Sequence, residues 1–230
     1  MNLAATTTAF SVWSYALLFT LLVLFPLMAA QNIRVRDVDQ SPRLSIYLSS
    51  CAVLWALFVA AMLVLAVENA PISSLGVHLK LGAAAAAAWT AALLIGSLAI
   101  AGAAQFLRQR WRIAVPQILA RLLPETPRET LAFLAIVCPT AGIAEEVLFR
   151  AFAITRLTSL TGDAWSATVL AALGFAFGHT YQGLIGMAST AMIGLGYSVS
   201  YLATGSLIPA IVAHALHNAV SAFLFKFEPA

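Results

Sequence analysis

Long apolar runs separated by short polar links make up this chain. The first run covers about residues 10–30. A polar stretch follows at 31–43, carrying Arg34, Arg36, Asp37, Asp39 and Arg43. A second run, about 44–67, ends in a link at 68–80 that contains the turn formers Pro71, Ser73, Ser74 and Gly76. A third, about 81–106, opens with six alanines, Ala83 to Ala88, a smooth surface that lets neighbouring helices approach closely. Runs of about 20 residues that are apolar all round predict membrane-spanning helices.

The next segment, 107–129, differs. Arg108, Arg110, Arg112, Arg121 and Arg128 alternate with Trp111, Ile113, Ile118, Leu119, Leu122 and Leu123. That pattern predicts a basic amphipathic segment in the headgroup region, ended by Pro124 and Pro127. A fourth apolar run begins near Thr130 and reaches about Leu160. Pro139, Thr140 and Gly142 should loosen it, and a break at Pro139 would change the number of crossings. Three more runs follow, at about 164–181, 183–202 and 207–225. In the sixth, Gly186, Thr190, Gly194 and Ser198 recur every four residues, a stripe suited to close helix contact.

Composition agrees with the pattern. Hydrophobic residues make up 62% and charged residues 9% of the 230, and mean hydropathy is +0.93. Soluble domains carry about 25% charged residues. The expected fold class is all-α, a polytopic transmembrane bundle of about seven to eight helices. It forms one membrane domain with two parts: N-terminal helices and the basic segment at 1–129, and a core at 130–225. The net charge of +3 and a pI near 9.1 come from basic loops. Orientation in a membrane explains them, so no nucleic acid is expected as a partner. The two arginine-rich loops, after the first and third spans, should face the cytoplasm. The N-terminal run is too long, and its lead-in too poor in charge, for a cleaved signal peptide. Cys51 and Cys138 fall in apolar runs and imply no disulfide.

Against this background the stretch Ala141 to Phe152 stands out. It places Glu145, Glu146 and Arg150 inside an apolar run, although the whole chain has only 12 basic and nine acidic residues. Ionisable groups at membrane depth are costly and mark function. Glu146 and Arg150 are four apart and share a helix face, so they can pair. Glu145 lies about 100° round the helix and is left for another task. A structural ion pair with a spare interfacial carboxylate is the bland alternative.

The later runs supply partners. His179 follows Phe175 by four residues, so the ring can pack on the imidazole and orient it. His214 and Asn218 are four apart on one face of the last run. Any one of these histidines could simply bond a neighbouring carbonyl. Together, two glutamates, up to three histidines and an asparagine in the last 90 residues can converge on one polar cavity within the C-terminal four helices. A carboxylate in a low-dielectric site is a stronger base than in water and, with an imidazole, can deprotonate a water. An imidazole and a carboxamide can donate to a developing oxyanion. The reaction class this suggests is amide hydrolysis by an activated water, without a covalent intermediate.

The ordered motifs Glu145-Glu146-x-x-x-Arg150, Phe175-x-x-x-His179 and His214-x-x-x-Asn218 resemble those of the CPBP intramembrane proteases. That family includes the CAAX prenyl endopeptidases and the bacterial bacteriocin-processing and immunity (Abi) proteins. Thr204-Gly205-Ser206-Leu207 is similar to the usual lead-in to the third motif. The resemblance covers about residues 130–222 and implies roles. Glu145 and His179 would activate the water, and His214 and Asn218 would form the oxyanion site. Glu146 and Arg150 would brace the helix. Ala151 stands where glycine is more usual, and His217 lies outside the motif.

The resemblance implies no metal and no cofactor. A zinc site built from Glu145, His179 and His214 is the chemical alternative. A non-catalytic immunity or adaptor protein of the same fold is the other. A proton-coupled transporter would show internal repeats, and none is visible. Expected partners are membrane lipids and a peptide or membrane-protein substrate, in a multi-pass protein of the bacterial inner membrane. Whether the substrate is prenylated, and the oligomeric state, stay open.

Overall fold

Helices form along the apolar runs because a backbone in lipid must satisfy its own N–H and C=O groups. A computed structural model describes residues 10–32, 41–78 and 80–224; Arg34, Arg36, Asp37 and Asp39 of the first loop lie outside them. Among the described residues there are eight helices and no strands. In order they are α1 (Val12–Gln31), α2 (Arg43–Val67), α3 (Ala83–Arg110), the short α4 (Gln117–Arg121), α5 (Pro127–Thr161), α6 (Ala164–Phe177), α7 (Gly183–Thr204) and α8 (Ile208–Leu224). The chain is thus an all-α membrane bundle.

Helices α1, α2, α3 and α5, together with α7 and the turn that leads into it, are long and apolar enough to cross a membrane. Helix α6 has 14 residues and α8 has 17. At 1.5 Å per residue α6 and the described part of α8 reach about 21 and 26 Å, short of a hydrocarbon core of about 30 Å. Both pack on longer helices: α6 on α5 and α7, α8 on α3 and α5.

Pro139 does not break α5, contrary to the possibility raised by the sequence. The helix runs unbroken for 35 residues and widens instead. Phe133–Val137, Ala141–Glu145 and Val147–Ala153 are π-helical, and the Cys138 N–H reaches back five residues to the Phe133 carbonyl. Proline lacks an N–H and crowds the turn before it. A wider turn absorbs both defects, and such turns recur at functional sites. The start of α5 is set by a capping box between Thr126 and Glu129, with Pro127 in the first turn.

The 107–129 segment is not one interfacial helix. Its first four residues finish α3, and α4 is a five-residue helix between two irregular links. Arg43 at the start of α2 holds these links by donating from Nε to the Arg121 carbonyl at 2.9 Å and by pairing with Glu125. Tyr47 Oη donates to the Leu122 carbonyl at 2.8 Å. The start of α2 and the links that follow α3 therefore meet at one end of the bundle.

The opposite end is tied by charge. Arg156 of α5 pairs with Glu68 at 2.8 Å and donates from Nε to Ser14 Oγ of α1 at 3.2 Å. Ser11, ahead of α1, donates to Glu68 from both its backbone and its hydroxyl at 2.8 Å. Gly76, at φ 71°, docks the α2–α3 link on the turn before α8; its carbonyl accepts from the Leu207 N–H at 2.9 Å. A Cβ at Gly76 would lie 2.6 Å from the Gly205 carbonyl oxygen.

Candidate active site

The site is built where α5 and α8 touch. Gly142 makes the approach: a Cβ there would lie 2.7 Å from the Ile211 carbonyl oxygen. With only hydrogen at Gly142, α8 can lie against α5 one turn before the glutamates. His214, one turn beyond Ile211, is thereby brought to Glu145 and Glu146.

Glu146 has no exposed surface, and Arg150 is 1% exposed. Arg150 Nε lies 3.2 Å from Glu146 Oε2, as their spacing predicts. The other carboxylate oxygen, Oε1, lies 2.8 Å from His214 Nδ1. On the far side of the imidazole, Nε2 is 3.7 Å from Glu145 Oε2. These contacts form a row: Arg150, Glu146, His214, Glu145. Burying an ion pair costs several kcal/mol per charge before attraction is counted, so stability is a weak reason for it to be there.

Aromatic rings hold the row. The Arg150 guanidinium lies 4.4 Å from the Phe175 ring centroid, a cation–π contact. Gly194 of α7 leaves the space for it, since a Cβ there would lie 3.0 Å from Arg150 Nη2. The Phe175 ring meets Phe149 at 5.0 Å and the His214 ring edge-on at 6.3 Å. Tyr197 of α7 covers another side of His214, with ring centroids 5.6 Å apart. The small-residue stripe of α7 is buried at all four positions, Gly186, Thr190, Gly194 and Ser198.

His179 lies outside α6, although the sequence suggested a place within the span. It follows the helix end, at φ −106° and ψ 24°, and leads into the turn Thr180–Gln182. The Gly178 N–H closes α6 by donating to the Gly174 carbonyl at 3.1 Å. His179 is still held on Phe175. The rings are 4.6 Å apart, and Nδ1 donates to the Phe175 carbonyl at 2.8 Å. A carbonyl only accepts, so Nδ1 carries the proton and Nε2 of the neutral ring keeps its lone pair.

Glu145, Phe175, His179, His214 and Asn218 all line one cavity of about 340 Å³, with Cys51 of α2 and Tyr197 of α7. Glu146 and Arg150 sit behind its wall. The imidazole within 4 Å of Glu145 is that of His214 and not that of His179. Among the described residues no three His, Cys, Asp or Glu side chains are grouped as a metal centre would require.

His217, outside the three motifs, also lines the cavity, and its buried Nδ1 has no hydrogen-bond partner. Tyr181, Gln182, Arg108 and Gln105 line it too. Reading the motifs missed the last four. The α7 stripe was a signal for Tyr197, which stands one turn beyond Gly194. Arg108 was masked by the arginines around it.

Residues 127–220 match the family described as Rce1-like, Type II CAAX prenyl endopeptidase Rce1-like. No curated protein and no solved structure matches the chain. The matched residues span α5 to α8 and include Glu145, Glu146, Arg150, Phe175, His179, His214 and Asn218. Over this segment, which carries the whole Arg150-to-Glu145 row, the chain is similar to the CAAX-type (CPBP) membrane proteases.

Proposed function

We propose that the chain is an intramembrane endopeptidase in which Glu145 and His179 activate a water while His214 and Asn218 hold the oxyanion. The observation that carries this reading is the row itself: one imidazole set between two carboxylates on the wall of a cavity within the helix bundle.

Each role follows from chemistry the residues can perform. The water oxygen bonds to the scissile carbonyl carbon as its proton passes to the Glu145 carboxylate. His179, with Nδ1–H engaged by Phe175, offers Nε2 to orient that water. The carbonyl π pair becomes an oxyanion. In its doubly protonated form His214 offers Nε2–H to that oxygen, and Asn218 offers its amide N–H. One such donor lowers the barrier by about 3 kcal/mol. When the C–N bond breaks, the leaving amine takes the proton back from Glu145, giving a carboxylic acid and an amine. Glu146 and Arg150 act through His214: an engaged Nδ1 fixes the ring and leaves Nε2 toward the reaction.

This reading takes no metal. The substrate class is a peptide or membrane protein reaching the cavity from the bilayer, prenylated or not, in a bacterial inner membrane. The test compares membranes from cells carrying the wild type and Glu145→Gln at equal protein level. Peptides that persist uncleaved with Glu145→Gln support the protease. Identical peptide profiles, with the wild-type phenotype retained, would favour a non-catalytic adaptor instead.

A further inference from the structure

Arg108 stands in the last turn of α3, outside the residues that match the family, yet is only 5% exposed. Its Nη2 donates to the Gln182 carbonyl at 2.6 Å. Among the described residues no carboxylate lies within 4 Å of its guanidinium. A buried cation without a counter-charge is held at a cost of several kcal/mol. The fold makes room for it: a Cβ at Gly186 would lie 3.2 Å from Arg108 Nη2. Arg108 lines the same cavity as Glu145 and His214.

Gln105, three residues earlier on the same face of α3, lines that cavity as well. Its Oε1 is buried and has no partner. A cationic fork of donors and an orphan acceptor therefore stand side by side. A peptide offers both complements, a carboxylate for the guanidinium and an N–H for the amide oxygen. A lipid phosphate diester supplies the anion alone, and any donor must come from the rest of its headgroup.

Helix α7 gives the spacing. Gly186 sits beside the Arg108 guanidinium, and Gly194 sits beside the Arg150 guanidinium that pairs with Glu146. Eight residues of helix separate them by about 12 Å along the axis. An extended peptide covers that in three to four residues.

We propose that Arg108 and Gln105 form an anion subsite that binds a carboxylate of the substrate peptide, three to four residues from the scissile bond. The carboxylate is either the peptide's own C-terminus or an acidic side chain. The inference rests on the peptidase reading for its place in the reaction, but the binding itself needs no turnover.

The test uses the purified full-length chain in detergent and three acetylated Ala-Leu-Ala-Leu probes. One has a free C-terminal carboxylate, one a C-terminal amide, and one an amide with glutamate in place of the last leucine. A carboxylate probe should bind roughly tenfold or more tighter than the neutral amide. Which of the two does so identifies the source. Arg108→Gln should level the probes, and Arg108→Lys, which keeps the charge, should retain part of the preference. Equal binding of all three probes by the wild type, or no binding of any, overturns the proposal whether or not the variants fold. So does a preference that survives in Arg108→Gln. Retention of phosphatidylglycerol that depends on Arg108, without a carboxylate preference, overturns it in favour of a lipid. If carboxylate selectivity holds but Glu145→Gln changes no cleavage, the protease reading fails and the subsite stands.

Discussion

Glu146 Oε1 lies 2.8 Å from His214 Nδ1, joining a residue of α5 to one of α8 across 68 positions of sequence. The contact turns a helix-surface ion pair into a device that orients an imidazole. Glu146 is placed by Arg150, Arg150 by Phe175, and the free nitrogen of His214 is left toward Glu145. On the proposed mechanism Glu146 positions a reacting group, and outer partners of this kind typically carry one to two orders of magnitude in activity.

Glu146→Gln should therefore lower kcat by about 10²-fold with a smaller effect on KM. Glu145→Gln should abolish turnover while the protein stays folded and at normal level. Cleavage kinetics on the substrate that accumulates with Glu145→Gln, together with size-exclusion profiles, check both. Wild-type turnover in Glu145→Gln, His179→Gln or His214→Gln would remove that residue from the mechanism.

Gly142→Val should do the same damage by a different route. The added Cβ meets a backbone oxygen, Ile211 O, at 2.7 Å, and a backbone cannot step aside as a flexible side chain can. Overpacking of this kind costs about 1–3 kcal/mol. Helix α8 should shift and carry His214 off Glu146. A lower thermal midpoint in detergent, together with lost activity, is the expected pair of results.

Chelators separate the two chemical readings. With a glutamate-activated water, activity should survive EDTA and phenanthroline unchanged. Loss of activity that zinc restores would instead make Glu145, His179 and His214 metal ligands.

The far end of the bundle should respond to acid. Burial raises the Glu68 carboxyl, but hydrogen bonds from Ser14 and Ser11 and the Arg156 charge outweigh it, so the group sits below its ordinary value. A group depressed on folding stabilises the fold above its unfolded pKa, about 4.3. That contribution is lost as the pH falls through the lower folded value. Glu68→Gln should cost roughly 1–3 kcal/mol at neutral pH and flatten this acid limb. Thermal unfolding between pH 3 and 7 measures both.

The cavity also predicts a thiol pattern. Cys51 lines it and Cys138 does not, although both are buried. A small charged methanethiosulfonate should therefore label Cys51 faster than Cys138, and labelling should reduce cleavage. Mass spectrometry of the labelled chain resolves the two sites.

Local rules carried much of this protein into view. Apolar runs the length of a bilayer specify helices whatever surrounds them, because the backbone has no other partner in lipid. Four-residue spacing alone pairs Glu146 with Arg150, lays Phe175 on His179, and puts His214 and Asn218 on one face. Those relations need only the geometry of a single helix or its end.

Relations between helices lay beyond reach. Nothing in the spacing said that His214 Nδ1 would choose Glu146, because that contact depends on α5 and α8 closing over Gly142. Nor did it show that Pro139 would be absorbed by wide turns, or that His179 would stand just past its helix. Arg108 reads as one basic residue among several along the chain. Only the packing of α3 against the glycine stripe of α7 takes it out of water and into the cavity. Such distances are set by which surfaces are smooth enough to meet, a property of pairs of helices that no single stretch contains.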